Sequence, residues 1–380
     1  MLPTPIRGSS GGSAQGLTAP GFYCGFLNAT GRVLHDVFVY RDTGGLGGVS
    51  PGDPSLASPD SEGVGGAFLI EVDATQVDAL AKHLKRYMLR SKLKVRVLAE
   101  DECVAWHAWD DRTDIGSPGL FALLSPDKQT MGGSVTLRDD RAPGLGYRIL
   151  VGGPGASRDG SSVPPPLLAA AGELGLEQTD DAAYRVRRYL FGVPEGQGEI
   201  PRGDSLPLES NMDLMGGIDF RKGCYVGQEL TIRTRHRGVV RKRVLPCLLY
   251  GAGAGEQAGP PREMEYRPGW TGAGGVAAED VPHDLSIGRE GKKGRSAGNW
   301  LGGVGNVGLA LCRLQIMTDV QLPGETAAAS FDPANEFVMK WGHEVGEDGE
   351  KVEGTGKAVK IKAFVPDWLR TRLDESNAQH

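Results

Sequence analysis

The pattern that most restricts the fold of this chain is a succession of short strand-like runs separated by turn residues, with few helical segments between them. Two apolar runs on either side of Asn28-Ala29-Thr30-Gly31 predict a hairpin over residues 21–40. Apolar residues at helical spacing predict a helix that is capped by Asp73 or Thr75 and carries Met88 near its end. Further strands are expected at 68–72, 93–97, 102–109, 118–123 and 147–151. This order favours an α+β fold with a mainly antiparallel sheet.

The second half of the chain has a different character. Helices are expected over 167–176 and 180–191, and a further helix from Gly227 to just before Gly238. Strands are expected at 244–250, 307–317, 327–331 and 358–364. Several strands without intervening helices predict a β-barrel or sandwich in this part of the chain.

Glycine is unusually common, at 58 of 380 residues. Residues 251–306 are rich in Gly and Ala and predict a flexible insertion with little core. The glycines of 303–308 follow this segment rather than a strand, so they indicate a loop and not a dinucleotide site. We therefore expect an α+β region at 1–240, itself two interleaved subdomains, and a β-barrel or sandwich domain at 241–380 that holds the insertion.

Composition excludes several classes of protein. The formal net charge is −6, which argues against a protein that coats nucleic acid or an anionic membrane, and no apolar run is long enough for a membrane-spanning helix. The five cysteines are scattered without a Cys-x-x-Cys pair, which favours a reducing compartment over a disulfide framework or a zinc site. We expect no nucleic-acid or membrane partner, and a monomer when the protein is alone.

Cys224 is the residue with the clearest chemical potential. Arg221 and Lys222 precede it, and a helix is expected to begin a few residues later. Cations and the positive end of a helix both favour thiolate over thiol, and the thiolate is the form that ligates iron or attacks an electrophile. The alternative is a small buried hydrophobic residue, which a lone cysteine often is.

A basic stretch extends from Arg221 to Arg243. It contains eight Lys or Arg residues and one acid, Glu229, for a local net charge of +7 in an acidic protein. Such a stretch suits an anionic protein surface, a polyanionic small molecule such as a polyglutamylated folate, or a phosphate chain. Nucleic acid is the weakest of these, because no aromatic stacking residue lies between Tyr225 and Tyr250.

The segment Lys222-Gly223-Cys224-Tyr225-Val226-Gly227-Gln228-Glu229, the Cys motif, resembles the K-G-C-x-x-G-Q-E motif of the YgfZ family, continued by Arg233. Further segments resemble other sequence blocks of the family and occur in the family's order. They are the hairpin at 26–34, the helix-to-strand step at 92–95, the two segments 184–188 and 192–196, and the segment 207–213. The resemblance covers about residues 21–250 well. The basic end, 236–243, is most similar to the mitochondrial branch.

The resemblance implies a fold like the T-protein of the glycine cleavage system, with antiparallel sheets, flanking helices and a C-terminal β-barrel. It also implies a late role in maturing [4Fe-4S] proteins in the mitochondrial matrix, together with A-type scaffold proteins. One cysteine supplies one of the several ligands a cluster needs, so we expect Cys224 to share a [2Fe-2S] cluster with a partner. No catalytic residue is assigned, and classical turnover is not expected.

The remaining site residues follow from the same resemblance. The motif and docking set is Lys222, Gly223, Tyr225, Gly227, Gln228, Glu229, Arg233, Arg235, His236 and Arg237. A possible tetrahydrofolate pocket would use Glu209, Asn211 and Asp213.

Two other functions stay open at this point: a tetrahydrofolate-dependent C1 transferase, and an interaction module in which Cys224 is structural. The family's usual opening segment is not found before Gly21, so we expect an N-terminally truncated first domain. Residues 251–306 have no counterpart in the family.

Overall fold

The computed structural model describes residues 20–48, 66–91, 93–111, 133–152, 165–251, 259–272, 275–292, 294–323, 331–342 and 356–377. Within them the chain divides into two compact units. The first unit draws its described residues from 20–26, 34–179 and 216–225, and the second from 27–33, 180–215 and 226–377. The units are thus interleaved along the sequence, and their boundaries differ from the expected division at residue 240.

The first unit contains two small antiparallel sheets. One sheet has the order β1 (Gly21–Leu27), β2 (Val33–Arg41) and β3 (Phe68–Val72). Helix α1 (Val77–Tyr87) covers it, because the apolar stripe of the helix places Leu80 against the sheet. The hairpin and the helix predicted from the sequence are both confirmed.

The second sheet of this unit has the order β4 (Cys103–Ala108), β6 (Tyr147–Gly152) and β5 (Ser134–Arg138). Helix α2 (Pro165–Leu174) follows, and Leu174 packs against the buried face of this sheet. Strand β5 was missed in the sequence, and the strand expected at 118–123 lies outside the described residues.

The strand expected at 93–97 is wrong. This segment is irregular, and the side chains of Leu93 and Val97 are 64% and 47% exposed. Alternation predicts a half-buried strand only where another strand covers the apolar face. Here Arg96 instead forms an ion pair with Glu102, with Nη1 and Oε1 2.6 Å apart.

The second unit is built around a closed six-stranded antiparallel barrel. Around the barrel the strand order is β10-β7-β12-β11-β8-β9. The bounds are β7 Lys242–Tyr250, β8 Ser286–Arg289, β9 Gly298–Val304, β10 Val307–Arg313, β11 Phe337–Trp341 and β12 Lys357–Ala363. The predicted fold class, α+β with a C-terminal barrel, is confirmed. Strand β11 was missed, and the strand expected at 327–331 lies almost entirely outside the described residues.

Strand β7 shows why this part of the sequence reads as a continuous apolar run. Leu245 and Cys247 point into the barrel core, whereas Val244 and Leu248 pack on its outside. Helix α3 (Asp181–Phe191) covers that outer face and ends at Gly192, which has the left-handed φ of 71°. Both faces of β7 are therefore buried, and an apolar residue is required at nearly every position.

Three further helices complete this unit. Helix α4 (Gln228–Arg237) precedes β7, α5 (Leu314–Met317) follows β10, and α6 (Asp367–Asn377) ends the described chain. The bounds of α4 agree with the predicted helix, whereas α6 was missed. None of the helices in the described ranges has the length and apolar character needed to cross a lipid bilayer.

The prediction of a flexible insertion at 251–306 is wrong for those residues of the segment that the structure describes. It supplies strands β8 and β9 and the fully buried Trp300 of the barrel core. A Cβ atom added to Gly303 or Gly308 would lie 2.7 or 2.3 Å from the Trp300 ring. The glycines here make room for a large aromatic side chain rather than for backbone motion.

Replacing Trp300 with alanine tests this corrected account. We expect Trp300→Ala to lower the free energy of unfolding by about 3–5 kcal/mol, because a core aromatic leaves a cavity. Urea unfolding followed by circular dichroism measures the loss. Trp341→Ala, which removes a partly buried tryptophan at the edge of the same core, should cost less. Equal losses would contradict the central position of Trp300.

Candidate functional site

The Cys motif lies on the chain between an irregular loop and helix α4. Residues 223–225 have no regular secondary structure, and the helix begins at Gln228. The division between the two units falls within the motif, so that Tyr225 belongs to the first and Val226 to the second. Each side of the motif is described within its own unit below.

Cys224 differs from the other cysteines in exposure. All five cysteines are free thiols, and only Cys224 is exposed. Burial raises the pKa of Cys24 to about 12 and that of Cys103 to about 11, which keeps both as thiols at neutral pH. Cys247 and Cys312 are buried in the barrel core with their sulfur atoms 3.9 Å apart. Cys224 is therefore the thiol that a partner or a metal centre can reach.

Two motif residues form a contact around Cys224. The Lys222 Nζ atom lies 4.0 Å from the centroid of the Tyr225 ring, a cation–π arrangement. Burial lowers the pKa of Lys222 below its ordinary value, and the nearby Cys24 and Asp219 act in the opposite direction. This contact holds together the residues that flank Cys224 on both sides. It gives Lys222 and Tyr225 a local structural role in presenting the thiol.

Gly227 lies at the other end of the motif and forms the N-cap of α4 with a left-handed φ of 80°. A Cβ atom at this position would lie 2.3 Å from the main-chain oxygen of Asn28 and 3.0 Å from the Cα atom of Gly31. The turn at 28–31 therefore packs directly on the start of α4. This contact was not predicted, although both segments stand among the family-like blocks.

The basic stretch divides into exposed and buried cations. Arg233, His236 and Arg237 are exposed on α4, and Arg237 lies in its last turn, where a cation is favourable. Arg235 is half-buried and donates a hydrogen bond from Nη1 to Ser376 Oγ at 2.7 Å. Arg243 is buried inside the unit. The exposed positive charge of this stretch is thus smaller than the sequence total implies.

Arg243 forms a buried ion pair with Asp213. Its Nη1 and Nη2 atoms donate to the two carboxylate oxygens of Asp213 at 2.8 and 3.0 Å. Nη1 also donates to the main-chain oxygen of Leu208 at 2.7 Å. The cavity beside this pair has a volume of about 20 Å³, which holds about one water molecule.

The other two residues expected in a folate pocket have similar surroundings. Asn211 is fully buried with a φ of 58° and donates to the main-chain oxygen of Val244 at 2.6 Å. Glu209 is half-buried, its carboxylate lies 3.8 Å from Lys242 Nζ, and burial raises its pKa. The geometry therefore favours a structural role for Asn211 and Asp213. These residues do not form a ligand-facing set for a pterin, and tetrahydrofolate binding stays a prediction.

The family-like block around 184–199 is also structural. Arg188 is buried and pairs with Glu199, with Nη1 and Oε2 2.7 Å apart. The Tyr184 hydroxyl donates to Glu195 at 2.7 Å, and the Glu195 amide donates to Glu199. These contacts fix the end of α3 and the loop after it.

Curated relatives share almost the whole chain. A protein of Chaetomium globosum named iron-sulfur cluster assembly factor IBA57 homolog, mitochondrial, is 50% identical over 357 residues, which cover 93% of this chain and 73% of that protein. The chain belongs to the mitochondrial IBA57 family of iron–sulfur cluster assembly factors. This confirms the resemblance drawn from the Cys motif and the predicted mitochondrial localisation.

Other relatives support the same assignment to the IBA57 family. The relatives with the same name from Pyricularia oryzae and Neurospora crassa are 49% and 47% identical, each over 95% of this chain and over 78% and 76% of their own lengths. No protein-family model matches the chain.

A solved structure confirms the fold of this IBA57 family member. The aminomethyltransferase T of the glycine cleavage system from Bartonella henselae superposes with a TM-score of 0.51 and 12% identity. The superposition covers 93% of this chain and 77% of that chain. The T-protein-like fold predicted from the sequence is therefore shown, and at this identity the likeness concerns the fold alone.

The Arg243–Asp213 pair gives a test of the structural role of Asp213. We expect Asp213→Ala to lower the free energy of unfolding by about 3–5 kcal/mol, because it leaves the Arg243 charge buried without its partner. Urea unfolding measures the change.

The matched control is Asp204→Ala. The side chain of Asp204 is 88% exposed and 3.6 Å from Arg32, so its loss should cost less than about 1 kcal/mol. If both variants were equally stable, Asp213 would not be the structural anchor described here.

Proposed function

We propose that this protein supports the maturation of mitochondrial [4Fe-4S] proteins by giving Cys224 as one ligand to a cluster that it shares with an A-type scaffold protein. The observation that carries the proposal is that Cys224 is the exposed cysteine among five. The names of the relatives, iron-sulfur cluster assembly factors, support the same role.

The ligand count explains why a partner is needed. Iron–sulfur clusters are commonly held by four protein ligands, most of them cysteine thiolates. The other four cysteines of this chain are buried or half-buried, so Cys224 offers a single thiolate. The cluster is therefore cargo that passes between proteins, and a scaffold protein would supply the remaining ligands.

The exposed cations of α4 support an electrostatic docking step. Arg233, His236 and Arg237 follow the Cys motif directly along the helix. Residues four apart share one face of a helix, so Arg233 and Arg237 form a compact cationic patch, with His236 beside it. An anionic surface on the scaffold protein would be attracted to this patch, which raises the association rate and sets the orientation.

The aminomethyltransferase alternative has no specific support in the site. It requires a group that faces a pterin, whereas Asn211 and Asp213 are bonded inside the unit. A shared fold does not by itself carry a shared reaction. The assembly role therefore accounts better for the exposed thiol and the cationic patch.

Mixing the protein with a [2Fe-2S]-loaded A-type scaffold tests the ligand role. We expect the wild type to form a coloured heterocomplex, and Cys224→Ser to lose it, because an alcohol is a poor iron ligand. Size exclusion with absorption spectroscopy gives the measurement. Cys103→Ser is the matched control and should behave as wild type. A Cys224→Ser protein that forms the same complex with the same spectrum would overturn the proposal.

The docking step has its own test in the double variant Arg233→Glu/Arg237→Glu. We expect it to slow association with the loaded scaffold by about tenfold or more at low salt, and the difference to shrink as salt rises. Stopped-flow absorption measures the rate.

The control for the docking test is Arg202→Glu/Arg262→Glu. It makes the same change in net charge at exposed positions outside α4. If both double variants slowed association equally, net charge would matter and the cationic patch would not.

A further inference from the structure

The end of helix α1 and the segment after it leave large apolar side chains in solvent. Seven such side chains are exposed in the part of the chain that the structure describes, and four of them belong to Tyr87, Leu89, Leu93 and Val97. Single exposed apolar residues are normal on a protein surface, whereas a group of them marks a place of interaction. These four stand close together along the chain and are such a group.

The same stretch is strongly basic. From residue 79 to residue 99 the sequence holds seven Lys or Arg and no Asp or Glu, although the whole chain has a net charge of −6. The exposed cations among the described residues are Lys82, Lys85, Arg86, Arg90, Lys94 and Arg96. Arg96 is offset by its ion pair with Glu102. A solvated surface usually mixes both signs of charge, and this stretch carries cations only.

Helix α1 holds the start of this stretch in place. Leu80 and Leu84 pack on the first sheet, so the polar side of the helix faces solvent. The Tyr87 ring centroid lies 4.8 Å from that of His83, which lies 5.5 Å from that of Phe26. The exposed Tyr87 is therefore attached to aromatic side chains of the folded unit, and it fixes the point from which the following residues extend.

Leu89 combines two features that are unfavourable for the folded chain. Its φ of 44° lies in the left-handed region, where glycine is favoured over any residue with a Cβ atom. Its side chain is 89% exposed and so buries almost no apolar surface. Neither the backbone nor the core of this unit accounts for a leucine here. A contact outside the chain would account for it.

We propose that this stretch docks the protein on an anionic phospholipid bilayer through a basic–apolar patch, which consists of Lys85, Tyr87, Leu89, Arg90, Leu93 and Lys94. In such a contact the apolar side chains enter the boundary between headgroups and acyl chains, and the cations meet the lipid phosphates. Neither Cys224 nor the cationic patch of α4 takes part, so that this docking goes beyond the proposed function.

The expectation that the protein has no membrane partner rests on its total charge. Salt screens exposed charges that lie more than about 8 Å apart at physiological ionic strength. A bilayer in contact with the basic–apolar patch therefore meets the local cations, and the distant acids that make the total negative have little effect on it.

A bilayer fits this patch better than an acidic protein does. Lysine is depleted from protein–protein interfaces, whereas this patch places lysine beside leucine. Long cationic side chains can reach phosphate groups while their aliphatic parts lie along an apolar surface. The backbone of residues 93–97 is irregular, and a bilayer, unlike a protein partner, requires no surface of matching shape.

Co-sedimentation of the full chain with lipid vesicles tests the docking. We expect the protein to bind vesicles of equimolar phosphatidylcholine and phosphatidylglycerol, and not vesicles of phosphatidylcholine alone. Arg90→Glu/Lys94→Glu should weaken the binding by about tenfold or more, because each cation near an anionic surface contributes to the attraction. Absence of binding by the wild type, or unchanged binding by this variant, would overturn the proposal.

The matched control is Arg233→Glu/Arg237→Glu, which makes the same change in net charge at exposed positions on α4. It should bind the anionic vesicles as the wild type does, even though it slows association with the cluster-loaded scaffold. Equal losses of vesicle binding in the two double variants would show that net charge decides the binding and that the basic–apolar patch does not.

Leu89→Gly separates insertion of the apolar side chains from attraction by charge. Glycine suits the left-handed backbone at this position, so the urea midpoint of unfolding should be no lower than that of the wild type. The affinity for anionic vesicles should nevertheless fall by about threefold or more, since one apolar side chain no longer enters the bilayer. Unchanged affinity would indicate attraction by charge alone, as for an acidic protein, and would overturn docking on a bilayer.

Amide hydrogen exchange locates the contact on the chain. Anionic vesicles should slow exchange in the peptide that spans residues 87–97 and leave exchange at 233–237 unchanged. Protection at 233–237 with none at 87–97 would place the membrane contact on α4 and overturn the proposal.

Discussion

The buried ion pair between Asp213 and Arg243 is the constraint on which the segment carrying Cys224 depends. The pair closes the chain at the base of that segment, since Asp213 precedes the Cys motif and Arg243 opens strand β7 of the barrel. A buried charge is costly unless its partner is present, so the two ends of the segment cannot separate cheaply. The exposed thiol is therefore carried by a loop and helix whose two ends are anchored to the core of a folded unit.

The transferase-like fold supplies the core to which the two ends of this segment are anchored. The fold by itself does not imply transferase chemistry. The block 207–213 was expected to face a ligand, but its buried polar groups bond to Val244 and Arg243 instead. The polar residues of this block are needed because a tight turn, with Asn211 at a φ of 58°, must satisfy its hydrogen bonds inside the unit. Cys224 follows this block along the chain and is exposed.

Local signals predicted well those elements whose partners are close in sequence. The hairpin around Asn28 and the bounds of α4 at Gly227 and Gly238 follow from turn chemistry and were predicted correctly. The segment 251–306 could not be predicted, because glycine has two opposite meanings: freedom in a loop, or space for a neighbour such as Trp300. Only the three-dimensional neighbour decides between them. The prediction of a strand at 93–97 was wrong for the same reason. Apolar and polar residues do alternate there, but the prediction assumed a neighbouring element that would cover the apolar residues.

At the candidate site, too, the sequence alone does not show which charges are exposed and which are paired inside the fold. The sequence contains eight Lys or Arg residues between 221 and 243. A cation that is paired with an acid inside the fold adds nothing to the electrostatic attraction between this protein and a partner. Arg243 is paired with Asp213, whereas Arg233 and Arg237 are exposed on α4.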